Sequence, residues 1–178
     1  MSARTFAATF LIAVLAAAAA GAQTAGRELT IEQKFLRTIE MQILKEQAAD
    51  SSHESKMLAL DALEKKVAGG SLGDVADDVE YVLEYLALEG TGRIAREGHR
   101  QVNYFPDVRR RAAELLGKVR TAEAKEALIF VLLNDDEPIV SAQAAYSRGE
   151  LGMNDDNDVI AALVYAVEAT DHTRPDNN

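Results

Sequence analysis

The chain has no cysteine, which removes disulfides, thiolate metal sites and cysteine nucleophiles together. A fold built from it must be held by packing alone. Proline is nearly as scarce, with three in 178 residues, and the abundance of Ala, Leu and Glu beside that scarcity fits an all-helical chain. Positive charge is outweighed as well. Lys and Arg total 19 against 29 Asp and Glu, a net charge of -10, which argues against nucleic acid and anionic lipid as partners. There is no G-x-S-x-G elbow, no P-loop and no dinucleotide glycine fingerprint. The sequence therefore assigns no catalytic residue, no cofactor and no metal, and no enzyme is expected.

The first residues read as an export signal. Arg4 supplies a positive start, Phe6 to Ala20 is an unbroken run of small and apolar residues, and Ala20-Gly21-Ala22 is an A-x-A cleavage site. The apolar run is shorter than the roughly 20 residues that span a bilayer. Cleavage after Ala22 is expected, and with no Cys at the junction no lipid anchor is expected to replace the signal. Residues 1–22 are thus a signal peptide, and the remaining chain is expected in the periplasm or outside the cell without a membrane anchor.

Helical signals follow in series. Thr30 and Gln33 have the spacing of a capping box, and Ile31, Phe35, Ile39 and Ile43 recur every fourth residue on what should be the buried face of a capping helix within residues 23–50. Ser51-Ser52-His53-Glu54 repeats the capping signal ahead of a stripe formed by Met57, Leu60, Leu63 and Val67. Gly69-Gly70 should stop that helix. A third helix over Leu72 to Glu89 points Val75, Val79, Val82, Leu83 and Leu86 inward and ends at Gly90. From Gly90 to Tyr104 no period is sustained. Helix connections are mostly about two to eight residues long, so this insertion needs a reason.

Beyond it the sequence repeats itself. A shift of 32 residues places Pro106 on Pro138, Val108 on Val140, Ala112 on Ala144, Ala113 on Ala145, Gly117 on Gly149, Leu128 on Ile160 and Leu132 on Val164. Each copy is a pair of short helices, and such a period means a stacked array. Gly117 should let the chain turn at its helix end. Ala122 to Leu133 is expected to bury Ala124, Leu128, Val131 and Leu132, and Asp155 and Asp158 to start a last helix that buries Val159, Leu163 and Val167. The last helix is apolar nearly all round, and Pro175-Asp176 restarts the repeat phrase. A longer array is therefore expected, with exposed apolar surface and self-association of this chain.

The phrase P-x-V-R-x-x-A-A-x-x-L-G at Pro106, followed by A-x-x-x-L-x-x-x-L, resembles the HEAT repeat in its short bacterial form, related to the phycobiliprotein-lyase repeats. The resemblance implies an all-α, right-handed α-solenoid of about seven helices, the capping helix within residues 23–50 followed by HEAT-like repeats over residues 51–178. It implies a protein-protein interaction or scaffolding module, placed by the export signal in the bacterial cell envelope. HEAT-repeat hydroxylases bind two irons through several His-Glu pairs, but only His53-Glu54 is present here. His99 and His172 have no ligand partner at helical spacing, and the run from Asn154 to Asp158 lacks the Gly and the closing Glu of an EF-hand. A metal-dependent or lyase-type enzyme is accordingly the weaker reading.

Charge is uneven along the chain. Residues 93–125 hold 9 basic and 4 acidic side chains, whereas residues 126–178 hold 2 and 11. Arg93, Arg96, Arg100, Arg109, Arg110 and Arg111 form a positive island in an acidic protein. They are either paired with acidic neighbours within the chain or available to an anionic ligand or acidic peptide, because Arg binds carboxylate bidentately.

Overall fold

The two prolines of the repeat each open a helix, where a missing N–H costs nothing. In the computed structural model, which describes residues 29–70, 72–153 and 157–169, Pro106 begins α4 (Pro106–Val119) and Pro138 begins α6 (Pro138–Leu151). Before them come α1 (Ile31–Ala49), α2 (His53–Ala68), a single 3-10 turn (Gly73–Val75) and α3 (Ala76–Leu88). Between and after them lie α5 (Ala122–Asn134) and α7 (Asp158–Ala169). Among the described residues that is seven α-helices, an all-α helical repeat array as expected. The signal peptide, with its cleavage residue Ala22, and the Pro175-Asp176 phrase lie outside the described residues.

The chain divides into two compact units at the Leu36/Arg37 boundary within α1. In the first, the capping box forms as the spacing predicts: Thr30 N donates to Gln33 Oε1 at 3.0 Å and Gln33 N to Thr30 Oγ1 at 3.2 Å. The stripe that follows is not buried. Ile31 and Phe35 are exposed, and further along α1 so are Ile39 and Ile43, whereas Met41, Leu44 and Ala48 enter the core. The strict four-residue interval drifts around a helix of 3.6 residues per turn, and the buried set follows the i, i+3, i+7 seam instead.

The second unit, Arg37–Asn178, stacks helices in two layers. The first helix of each pair packs on the next, α2 on α4 and α4 on α6, while α3, α5 and α7 do the same in the other layer. The core between them is aliphatic and small, with Leu60, Leu63, Val79, Leu83, Leu86, Ala112, Ala113, Leu116, Leu128 and Val131 fully buried.

Several local expectations change. Ser52 caps α2 with its backbone only; Asp50 accepts hydrogen bonds from Ser52 N and Ser55 Oγ, satisfying the helix start from outside. Gly117 does not turn the chain. It lies inside α4, and the left-handed residue that closes the helix is Arg120, at φ 61°, matched 32 residues later by Gly152 at φ 70°. A Cβ on Gly117 would stand 2.8 Å from Ser147 Cβ, so this glycine lets α4 and α6 approach closely. On α7 Val159 is buried and Leu163 half-buried as expected, but Val167 is exposed and Ala162 joins the buried set. This helix is covered by α5 on one side, and its remaining faces, Ile160, Val164 and Tyr165 among them, meet solvent.

Candidate interaction surface

The aperiodic insertion folds into a small hairpin. Strands β1 (Arg96–Glu97) and β2 (Arg100–Gln101) pair antiparallel, with Arg96 opposite Gln101 and Glu97 opposite Arg100, across a turn in which Gly98 takes φ 62°. Val102 N donates to Ala95 O at 3.1 Å and extends the ladder by one bond. The alternation of this ladder turns the backbone groups of Arg96 and Gln101 toward the outer edges.

Its base is fastened at several points. Asn103 Nδ2 donates to Arg93 O at 2.8 Å, and Ala95 N donates to Asn103 Oδ1 at 2.6 Å, so one amide ties both arms. Gly90, at φ 82°, lies so close to the Asn103 carbonyl that a Cβ there would overlap its oxygen. Thr91 Oγ1 donates to Asp135 at 3.4 Å, and Tyr104 Oη donates to Glu137 Oε1 at 2.6 Å and to Asp136 at 3.2 Å. The segment joining α5 to α6 thus holds both ends of the insertion.

Arg109 is the centre of that anchorage. It is 1% exposed and binds Asp135, whose side chain is fully buried, through Nε to Oδ2 at 2.7 Å and Nη2 to Oδ1 at 3.0 Å. Its guanidinium carbon lies 4.7 Å from the Tyr104 ring centroid. Burial works against the charge, but the Asp135 carboxylate outweighs it and holds the guanidinium pKa above its ordinary value. For Tyr104, burial first and then the hydrogen bond to Glu137 push the phenol up to about 12.

The arginine island is therefore divided. Arg109 is inside the protein. Arg111 joins α4 to α2, with Nη1 on Asp61 at 2.6 Å and Nη2 on Glu64 at 2.5 Å. Arg110 is half-buried and Arg93 and Arg96 are exposed; none of the three makes an ion pair among the described residues. Arg100 is placed in β2 by its backbone. The six arginines do not form one surface, and those that face solvent lie on the hairpin and its approach.

His53 does not pair with Glu54. Its Nε2 lies 2.6 Å from Asp107 Oδ2, and its ring is tilted against Phe105 at 5.4 Å, so it fastens α2 to the start of α4. His99 is exposed at the hairpin turn. No group of three His, Asp or Glu among the described residues could hold a metal ion, and no described helix is long and apolar enough to cross a membrane.

Three buried charges escaped the sequence reading: Lys56, Glu80 and Arg148, the last 1% exposed and donating from Nη2 to Met153 O at 3.1 Å. Lys56 is fully buried and bonds Ala48 O and Glu89 Oε2, each at 2.6 Å. Its interval of four from Leu60, on the buried face of α2, was the available signal. Glu80 reaches from α3 to the start of α5, accepting from Ala124 N at 3.0 Å and from the Thr121 hydroxyl. Nearby, Lys45, Ala48, Ala49, Tyr81, Val82 and Tyr85 line a half-open groove of 240 Å³.

Residues 100–174 match the family model of HEAT repeats, from the second hairpin strand through α7. No curated protein and no solved structure matches the chain. The match supports a HEAT-repeat protein, whose repeats suggest a module for protein interaction and scaffolding.

Proposed function

We propose that this chain is an exported, non-catalytic scaffold of the bacterial cell envelope that binds protein partners across its repeats. The observation that carries the reading is apolar surface in the part similar to HEAT repeats. Ile139 and Tyr146 on α6 are 60% and 64% exposed, and Ile160, Val164 and Val167 on α7 are 52%, 51% and 60% exposed. The last three lie at i, i+4 and i+7, which is one helix face. Exposed apolar surface gathered on one helix marks an association site more often than an idle surface.

Export rests on Arg4, the apolar run to Ala20 and the A-x-A site ending at Ala22. Fractionation and N-terminal sequencing test it: the mature chain should begin at Gln23 and leave the cytoplasm. Partner binding is tested by crosslinking in the native envelope and recovery of the chain. A protein should be recovered in fixed proportion and lost when Ile160 and Val164 are both changed to Glu, with helix content unchanged. Recovery of the same protein by the double variant would remove the α7 face from the reading. Turnover of a small molecule with no protein recovered would favour an enzyme.

A further inference from the structure

The hairpin invests its polar groups at the base, while Arg93 and Arg96 make no ion pair among the described residues. Asn103 closes both arms, Gly90 permits their close approach, and Thr91 and Tyr104 tie the ends to Asp135, Asp136 and Glu137. Those three acids serve the base of the hairpin and Arg109, not Arg93 or Arg96. Asp135 is held by Arg109, while Asp136 and Glu137 accept from the Tyr104 hydroxyl. Arg93 and Arg96 remain exposed without an ion pair among the described residues. Between them Ile94 is 37% exposed.

We propose that this hairpin is the docking arm for an acidic, extended segment of a partner protein, read by Arg93 and Arg96. The assignment rests on the interaction reading above and names the chemistry of the partner. Three features favour a short acidic peptide over a larger polyanion. At physiological ionic strength charges are screened beyond about 8 Å, so a short segment senses the local arginines and not the whole acidic molecule. A nucleic acid or a lipid surface would extend past the hairpin and meet a chain of net charge -10. The outward backbone groups of Arg96 offer an edge to which an extended segment can add as a strand. Ile94 supplies apolar contact between the two charges. The anchored base matters because a pre-ordered arm loses little entropy on binding.

The probe is a fluorescein-labelled peptide of alternating Glu and Ile, with a Gln and Ile peptide as control, followed by fluorescence anisotropy on the purified chain. The Glu peptide should bind saturably, weaken with added salt, and bind more tightly than the Gln peptide. Changing Arg93 and Arg96 to Glu together should weaken it by about tenfold, since each exposed pair contributes modestly and reversal turns attraction into repulsion. The milder Arg93→Gln with Arg96→Gln pair should weaken it less while the melting temperature stays put. Arg111→Gln breaks the contacts with Asp61 and Glu64 and should lower the melting temperature without altering peptide affinity. The proposal is overturned by equal affinity of wild type and the reversed variant, by equal binding of the Gln peptide, or by no saturable binding of the Glu peptide. Tighter binding to phosphatidylglycerol vesicles or single-stranded DNA than to the peptide would overturn it too. If the reversed variant still recovers the envelope partner, the hairpin assignment falls and the scaffold reading stands.

Discussion

Gly117 and Gly149 occupy the same position in successive repeats, and the structure gives them opposite responses to one methyl group. A Cβ at Gly117 would lie 2.8 Å from Ser147 Cβ and 3.1 Å from Ser147 Cα and O. Non-bonded carbons prefer about 3.5 to 4.0 Å. Ser147 Cβ is fixed to the α6 backbone, so a side-chain rotation gives no relief and the helices must part. Overpacking of this kind costs about 1 to 3 kcal/mol, and alanine regains about 1 kcal/mol over glycine within a helix. Because backbone must move, the upper part of the range applies, and Gly117→Ala should destabilise by about 1 to 2 kcal/mol. At Gly149 an added Cβ meets nothing within 4 Å, so Gly149→Ala should stabilise by about 0.5 to 1 kcal/mol. Urea unfolding followed by circular dichroism reads both. A Ser147→Gly change combined with Gly117→Ala should show favourable coupling in a double-mutant cycle, because the nearest clashing atom is gone. Equal signs at the two glycines, or no coupling with Ser147, would refute the close approach of α4 and α6.

Gly90→Ala combines left-handed strain with overlap on the Asn103 carbonyl, and should cost about 3 kcal/mol or more in thermal unfolding; Asn103→Ala should cost less, because it keeps the backbone and loses only the side-chain ties. Arg109→Met leaves the buried Asp135 carboxylate without its counter-ion, at about 3 to 5 kcal/mol, whereas Asp135→Asn leaves Arg109 with Asp136 at 3.7 Å and should cost less; replacing both Arg109 and Asp135 with apolar residues should recover much of the first loss in the same melt. Alkaline titration should isolate Tyr104. Its folded pKa, about 12, lies above the ordinary 10, so the stability it contributes is fully present below pH 10 and is lost as pH rises through 12. Tyr104→Phe should abolish that slope, with tyrosinate absorbance as the companion measurement.

Legibility in this sequence depended on whether a signal was local. Helix starts at Pro106 and Pro138 and the Thr30 to Gln33 capping box need only neighbouring residues, and they formed where the spacing placed them. The buried stripe of the 3-10 turn and α3, from Val75 to Leu86, was equally plain because its apolar residues outnumber any competing face. On α1 two apolar seams compete, and only the neighbours decide which is covered; Met41, Leu44 and Ala48 won over Ile39 and Ile43. The island failed as a single surface for the same reason. Arg109, Arg110 and Arg111 are consecutive, yet a helix turns each by about 100° from the last, which sends one inside, one to the half-buried flank and one to α2. Asp135, 26 residues away from Arg109, could not be named its partner before the layers were assembled.

The repeat equivalences also show that burial in a stacked array belongs to the neighbour as much as to the residue. Leu128 is fully buried and its equivalent Ile160 is 52% exposed; Leu132 is 7% exposed and Val164 is 51% exposed. Similar apolar side chains stand in both repeats, and among the described residues only the first has a helix laid over it. Any association through the α7 face must therefore reckon with two opposed terms. Residues 126–178 carry 2 basic and 11 acidic side chains, so two copies meeting there repel, while their apolar residues favour contact. Salt separates the terms, because it screens the repulsion within about 8 Å at physiological strength and leaves apolar burial intact or strengthened. Self-association seen by light scattering should rise with sodium sulfate, and Ile160→Glu with Val164→Glu should suppress it at every salt concentration. An average mass that falls as salt is added would mean that ionic contacts hold the copies together, and would exclude the α7 face as their meeting place.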